Sequence, residues 1–355
     1  MAWSIDPVAR VALLLCIGVA LVEARDSRNQ FTEFFTTFNG WYYGEGNSEK
    51  CELAHQNYTS APEIPGQHRW AWELVDCILG VTSEAQKAEF ALSATLLTVL
   101  PVGLAQIRPG LTETGCLAMR RPFLALMLEI GVPSPNPITG TINGRKVRKL
   151  GASRPIKQLE SLRAFRFVIS LLEYVLGMGS TANCIYQIYR LCYKAIALAP
   201  IAVFMPGLSE TAVVLGWMGL LLPIHYLGVL TFAYTYPVAG PRRSLKQWIM
   251  DELTPCCYGR PIKRLGKGCL EFVTNLVACL HIMVGTVLLG SVFFITLADV
   301  LPVIESFVGA ALVTRLVATI EFEGMRMANH PKLEISSMGV KEGEEGQTFY
   351  FGKQH

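Results

Sequence analysis

The stretch LEFVTNLVACLHIMVGTVLLGSVFFITLADVLPVIESFVGAALVTRLVATI, residues 270–320, decides the fold of this chain. It contains two apolar runs, Leu270–Thr296 and Val303–Ile320. Each is long enough for a helix that crosses a bilayer, which needs about 17 to 25 residues. Only the short turn Leu297–Pro302 separates them. The stretch therefore predicts a helical hairpin embedded in a membrane.

Three earlier segments have the same composition. The chain of 355 residues is 51% apolar and 17% charged, whereas soluble proteins carry about 25% charged residues. We therefore predict an all-α fold, a polytopic transmembrane helical bundle of about five spans over residues 89–322. The three earlier spans are Phe90–Ile107, Ala164–Tyr189 and Thr211–Tyr234.

The N-terminus has the layout of a secretory signal peptide. The apolar run Val11–Val22 follows Arg10, is too short to cross a bilayer, and precedes a cleavage point after Ala24. We predict a signal peptide over residues 1–24, with an uncleaved anchor as the alternative. In both cases the residues after Ala24 enter the lumen.

Residues 25–88 are polar and aromatic and contain no spanning segment, which predicts a small luminal cap on the helices. Asn57-Tyr58-Thr59 is an N-glycosylation acceptor, and its use requires exposure to the lumen. Because Cys51 and Cys77 would lie in an oxidising compartment, we expect a disulfide between them. Two free thiols are the alternative.

Basic residues orient the spans. They concentrate in two loops, 133–163 and 235–269, which the positive-inside rule places in the cytosol. The prediction is a luminal or extracellular N-terminus, five crossings and a cytosolic C-terminus, in the secretory pathway or the plasma membrane. The Gly- and Glu-rich residues 323–355 are expected to form a disordered cytosolic tail.

One further segment, Leu117–Val132, resembles a span but is shorter than a bilayer is thick. A crossing there would also put both basic loops in the lumen. Arg120, Arg121 and Glu129 would lie in or near hydrocarbon, at about 3 kcal/mol each on insertion scales. We therefore predict an interfacial or re-entrant helix on the cytosolic side over residues 117–132, with Pro122 near its start.

Four ionisable residues stand out within the predicted spans: Glu173, His225, His281 and Arg315. Such residues are costly in a membrane and are functional candidates by default, here for a ligand or ion pathway. Glu173 and Arg315 both lie about 10 Å from the cytosolic ends of their helices. Equal depth and opposite charge predict an ion pair between the second and fifth spans.

His225 and His281 both fall near the middle of their spans. They predict a proton relay or a two-histidine ligand site, with hydrogen bonds between neutral imidazoles as the alternative. Cys279 faces away from His281 on its helix, and no CxxC spacing occurs. No metal, cofactor or catalytic residue is predicted.

Two adjacent cysteines, Cys256 and Cys257, lie in the second basic loop. Cysteines beside basic residues and a membrane are candidates for S-palmitoylation, and free thiols are the alternative. The basic clusters of both loops suit the anionic headgroups of membrane lipids. A nucleic-acid partner is not expected for a chain with several spans.

Two stretches carry a resemblance. One runs from Cys77 through residues 83–87 to Arg120-Arg121-Pro122, and the other from residues 280–282 to residues 321–326. Together they resemble a group of uncharacterised fungal multi-pass integral membrane proteins. The resemblance covers about half of the chain. It implies a fungal source and the same layout of signal peptide and bundle, and it implies no chemistry.

These observations favour a non-enzymatic membrane protein, a structural, sensory or partner-binding component that engages lipids, a protein partner or a second copy of itself. The alternative is a transporter or channel that uses Glu173, His225, His281 and Arg315. Five spans do not divide into inverted repeats, and the sequence shows no pair of broken helices. An intramembrane enzyme ranks third, because no nucleophile and base can be paired.

Overall fold

The computed structural model describes residues 30–60, 69–137, 163–202, 210–235, 249–250, 252–253 and 269–329. Five of its helices are long and apolar enough to cross a membrane, which confirms the predicted all-α bundle. These spans are Glu84–Ile107, Phe167–Tyr193, Val213–Tyr234, Leu270–Gly290 and Leu297–Phe322.

Short helices connect the long ones, and among the described residues one two-residue β-ladder joins two of the connections. Ser83 begins the first spanning helix with a capping box. Its side chain accepts from the backbone N–H of Gln86, and the Gln86 side chain accepts from the backbone N–H of Ser83. The helices are α1 (Thr36–Asn39), α2 (Glu52–Ser60), α3 (Arg69–Val81), α4 (Glu84–Ile107), α5 (Leu111–Ala118), α6 (Pro122–Ile130), α7 (Arg163–Tyr193), α8 (Leu198–Ala202), α9 (Glu210–Gly219), α10 (Leu221–Thr235), α11 (Cys269–Gly290) and α12 (Leu297–Asn329). The strands are β1 (Ile196–Ala197) and β2 (Val292–Phe293).

Residues 30–60 and 69–81 form a cap on one end of the bundle. Its core is aromatic: the ring of Phe38 stacks on Tyr42 and meets Phe34 and Phe90 edge to face. Aromatic side chains bury large areas each, so a few of them can hold a segment of this size. We call this end of the bundle the cap end, and the opposite end, towards which α12 runs, the tail end.

The cap is attached directly to the spanning helices. Phe294, in the connection between the fourth and fifth spans, stacks on Phe38 with ring centroids 5.5 Å apart. It has a left-handed backbone with φ of 62°, which a non-glycine residue adopts only where its surroundings hold it. Antiparallel pairing of β1 with β2 lies at the same level. Cap and bundle therefore share one aromatic core.

Cys51 and Cys77 form the expected disulfide, closing a loop with a sequence separation of 26 residues. Replacing both with serine is expected to lower the stability of the cap by about 3 to 4 kcal/mol, because the unfolded cap gains the entropy of an open loop. Limited proteolysis of the purified protein measures this as faster cleavage within residues 30–81. Cys279→Ser, which removes an exposed free thiol, is the control. Equal cleavage of the two variants would contradict the prediction.

The first spanning helix, α4, ends halfway along its neighbour α11. Near the cap, Gly290 of α11 lies against Thr98 of α4 with no room for a Cβ. From Thr98, α4 continues for nine residues to Ile107, a rise of about 14 Å. The same rise from Gly290, back along the antiparallel α11, reaches His281. The end of α4 is therefore level with the middle of the fourth span.

The path towards the tail end is continued by α5, after an extended segment at residues 108–110. Leu111 at the start of α5 packs with Ile224, and Gly115 lies directly against Phe232 further along α10. Because α5 follows α10 towards the tail end, it extends along the bundle beyond the end of α4.

Residues 117–132, predicted as one interfacial or re-entrant helix, contain the end of α5 and all of α6, separated by a turn at residues 119–121. Pro122 starts a new helix because it has no backbone N–H to continue the previous one. Leu117, Leu124 and Leu128 are fully buried, and α6 packs between α7 and α10. Of the two predicted arrangements, this burial fits a helix that enters the bundle rather than one lying on its surface.

The third span bends near its middle. It consists of α9 and α10, with a turn at Leu220 through which the helical hydrogen bonds continue. Pro223 cannot donate a backbone hydrogen bond, which bends a helix. His225 follows two residues later, so the bend and the extended segment at residues 108–110 both lie close to buried ionisable side chains.

Several predicted features lie outside the described residues: the signal peptide, most of the two basic loops including Cys256 and Cys257, and the C-terminal tail after residue 329. They stay predictions.

Candidate functional site

Arg108 and Glu129 form an ion pair at the extended segment between α4 and α5. Arg108 Nη2 lies 2.6 Å from Glu129 Oε2, and both side chains are 0% exposed. The Arg108 guanidinium also donates from Nη1 to the backbone carbonyl of Ser134, at 2.7 Å. The pair is therefore held by the end of α4, by α6 and by the segment that follows α6.

Both predicted histidines contribute to the same region. His225 Nδ1 lies 3.8 Å from Glu129 Oε2. His281 stacks on Trp217 with ring centroids 5.0 Å apart, and it interacts electrostatically with Arg108 and Glu129. We call Arg108, Glu129, His225 and His281 the central cluster.

Glu129 has two basic neighbours on one of its oxygens. Arg108 Nη2 and His225 Nδ1 both approach Oε2, and the cation of Arg108 offsets the cost of burying a carboxylate. Arg108 Nε and Glu129 Oε1 are buried and have no hydrogen-bond partner among the described residues. Buried polar atoms are nearly always hydrogen-bonded, so such atoms mark a place where another group can bind.

Arg315 lies beside this region but has a different partner from the predicted one. Its Nη1 donates to Glu113 Oε2 at 2.7 Å, and Glu113 accepts from the backbone of Gly110 at the start of α5. The predicted Glu173–Arg315 ion pair is therefore wrong. Counting residues gave both side chains similar depths, but depth does not show which side of a helix faces which neighbour.

Glu173 instead contacts Arg121, at the tail end of the bundle. The Nη1 atom of Arg121 contacts both Glu173 Oε2 and Glu321 Oε1. Arg121 Nη2 donates to Ser170 Oγ at 2.7 Å, and Nε donates to the Glu252 backbone carbonyl at 2.9 Å. We call Arg121, Ser170, Glu173, Glu252 and Glu321 the tail-end cluster.

Glu252 closes the N-terminus of α6. Its Oε1 accepts from the backbone N–H groups of Phe123 and Leu124, both at 3.1 Å, and from the Tyr174 hydroxyl at 2.5 Å. A carboxylate suits this position because it satisfies free N–H groups and complements the helix dipole. A residue of the second basic loop therefore reaches into the bundle, which its composition did not indicate.

The two clusters separate the four sequence candidates. His225 approaches Glu129, His281 stacks on Trp217, Arg315 supports the start of α5, and Glu173 belongs to the tail-end cluster. Within the described ranges, no group of three or more His, Cys, Asp or Glu side chains could hold a metal ion. No family model, curated protein or solved structure matches the chain. The resemblance to fungal membrane proteins therefore stays a prediction.

Proposed function

We propose that the protein is a non-enzymatic membrane transporter or channel that moves protons through the central cluster. The supporting observation is Glu129, a fully buried carboxylate paired with Arg108 and next to His225, beside the end of α4. Ionisable residues inside a membrane bundle are costly to bury and commonly form proton relays and ion pathways.

The end of α4 and the bend in the third span support this proposal over a purely structural role. Backbone that is not helical at membrane depth is tolerated where protein buries it or where it lines a pathway. Transporters bind substrates and ions at such places near the middle of the membrane. Here the backbone at residues 108–110 is extended, level with the middle of α11, and the third span bends at Leu220 and Pro223. Arg108 and His225, beside these two places, both approach Glu129.

The side chains of the central cluster have complementary roles. Histidine is the side chain that most readily exchanges a proton near neutral pH, so His225 can deliver a proton to Glu129 or remove it. Arg108 keeps Glu129 ionised while no proton is bound. Protonation of Glu129 weakens its contact with Arg108, and α4 and α6 are then less tightly joined.

Proton flux into vesicles tests this proposal. Purified protein is reconstituted in liposomes that contain a pH-sensitive dye, and a pH gradient is applied. We expect His225→Gln to reduce the flux at least tenfold at equal protein incorporation. His55→Gln, in the cap, is the matched control and should keep the wild-type rate. If wild-type vesicles leak protons no faster than empty ones, or if His225→Gln transports normally, the proposal is wrong.

A structural, sensory or partner-binding role is the second candidate, and the attachment of the cap favours it. The backbone N–H of Thr37 donates to Asp299 at the start of α12, and Lys194 pairs with Glu33. A partner that binds the cap would therefore act directly on the fifth span. This role predicts no proton flux in the wild-type vesicles, so the same assay separates the two.

We propose that the cap faces the lumen or the extracellular space and that the tail end faces the cytosol. The distribution of basic residues supports this orientation. Asn57 lies in α2 of the cap, partly exposed. A glycan on Asn57, detected as a mobility change that Asn57→Gln abolishes, tests the orientation.

A further inference from the structure

The tail-end cluster places two carboxyl groups on one guanidinium. Arg121 and Glu321 are 0% exposed and the Glu173 side chain 3% exposed. Because the Glu173 and Glu321 carboxyl groups both contact one nitrogen, Arg121 Nη1, they lie next to each other. Two ionised carboxylates repel each other at this distance, whereas a carboxylic acid and a carboxylate form a hydrogen bond.

A second observation comes from Glu173 itself. Its Oε1 atom is buried and lacks a hydrogen-bond partner among the described residues, although its Oε2 atom contacts Arg121. A proton bound between the two carboxyl groups would supply the missing donor. It would also leave one negative charge against the one positive charge of Arg121.

Two other ionisable groups lie around this site. Glu252 Oε1 accepts from two backbone N–H groups and from the Tyr174 hydroxyl, and its Oε2 is buried without a hydrogen-bond partner among the described residues. The Tyr174 ring lies under the Arg121 guanidinium, at 5.1 Å. Neither residue makes the contact between the two carboxyl groups, so the shared proton belongs to Glu173 and Glu321.

We propose that Glu173 and Glu321 bind one proton between them, forming a second proton-binding site at the tail end. Arg121 immediately precedes α6 and Glu129 lies near its end, eight residues further, so the two sites are about 12 Å apart along this helix. The proposal that Glu173 and Glu321 bind a proton depends only on the geometry of this pair. The proposal that protons pass from the central cluster through this pair to the tail-end surface rests on the proposed proton transport.

Infrared difference spectroscopy of the purified protein in lipid tests this site, because a protonated carboxyl group and a carboxylate absorb at different frequencies. We expect a protonated-carboxyl band at neutral pH that shifts in D2O. Both Glu173→Gln and Glu321→Gln should remove it, since the remaining carboxyl group then pairs with Arg121 as a carboxylate. Glutamine imitates the protonated side chain, so both variants should fold.

Glu252→Gln and Glu113→Gln are the matched controls, and both should keep the band. Burial raises the pKa of Glu252, so the first control separates its contribution from that of the pair. Absence of the band from the wild-type protein overturns the proposal, as does its retention in Glu173→Gln or Glu321→Gln. The spectra do not depend on proton flux. The shared proton can therefore be disproved while transport by the central cluster is confirmed, and transport can be disproved while the shared proton is confirmed.

Discussion

Replacing Arg121 with glutamine is expected to destabilise the protein more than any other single substitution in the tail-end cluster. The change leaves Glu173 and Glu321 together without their buried cation, and it removes the hydrogen bonds to Ser170 and to the Glu252 backbone. Removing one partner of a buried ion pair costs about 3 to 5 kcal/mol, because the other charge stays buried. Thermal unfolding in detergent, followed by size-exclusion chromatography, measures the loss.

The neighbouring Arg120 provides a matched control, because it is only partly buried. Arg120→Gln should change stability by less than about 0.5 kcal/mol, as substitutions away from buried networks do. If Arg121→Gln were as stable as Arg120→Gln, the buried contacts of Arg121 would not hold the bundle together.

A second substitution should restore most of the loss. If Glu173 and Glu321 share a proton, removing Arg121 together with Glu321 removes one positive and one negative charge, and Glu173 is left neutral. The double variant Arg121→Gln with Glu321→Gln should therefore unfold at a higher temperature than Arg121→Gln alone. An equally unstable double variant would mean that Glu173 stays charged without Arg121.

The spans were readable from the sequence because they depend on local composition. In a membrane, the backbone groups of a run such as Leu270–Gly290 must form their hydrogen bonds within one helix. The length and hydropathy of the run are therefore sufficient to find it. The disulfide between Cys51 and Cys77 was also expected, because both residues lie in one short segment.

The partners of the buried charges were not readable in the same way. The similar depth of His225 and His281 followed from counting residues, and both do interact with Glu129. Which side chain pairs with which depends on the rotation of each helix and on the path of residues 108–137. The Glu173–Arg315 prediction failed for this reason, since α6 places Arg121 against Glu173.

The end of α4 and the bend in the third span could have been recognised only in part. Arg108-Pro109-Gly110 follows directly after the first apolar run, and Pro223 lies within the third. Considered alone, the first of these features is an ordinary helix end and the second an ordinary helix bend. They become part of one site because Glu129, on a third segment, contacts Arg108 and His225. Arg121 and Glu129 were noticed in the sequence as costs of a crossing at residues 117–132, and the structure gives both of them buried partners.

The largest effect on the central cluster is expected from Arg108→Met. Glu129 would then be a fully buried carboxylate without its cation. We expect a loss of about 3 to 5 kcal/mol of stability, together with loss of proton flux. The unfolding temperature and the vesicle assay measure the two effects on the same preparation.

The double variant Arg108→Met with Glu129→Met separates a structural role of this pair from a functional one. Replacing both members of a buried ion pair by apolar residues of similar size is often neutral or stabilising, because neither charge then has to be buried. The double variant should therefore regain much of the stability that Arg108→Met loses. If the ion pair only held α4 to α6, the restored stability would also restore proton flux. If the pair carries protons, flux stays absent, because methionine neither binds nor releases a proton. We therefore expect a stable protein without flux. Flux at the wild-type rate from the double variant would exclude Glu129 from the proton pathway.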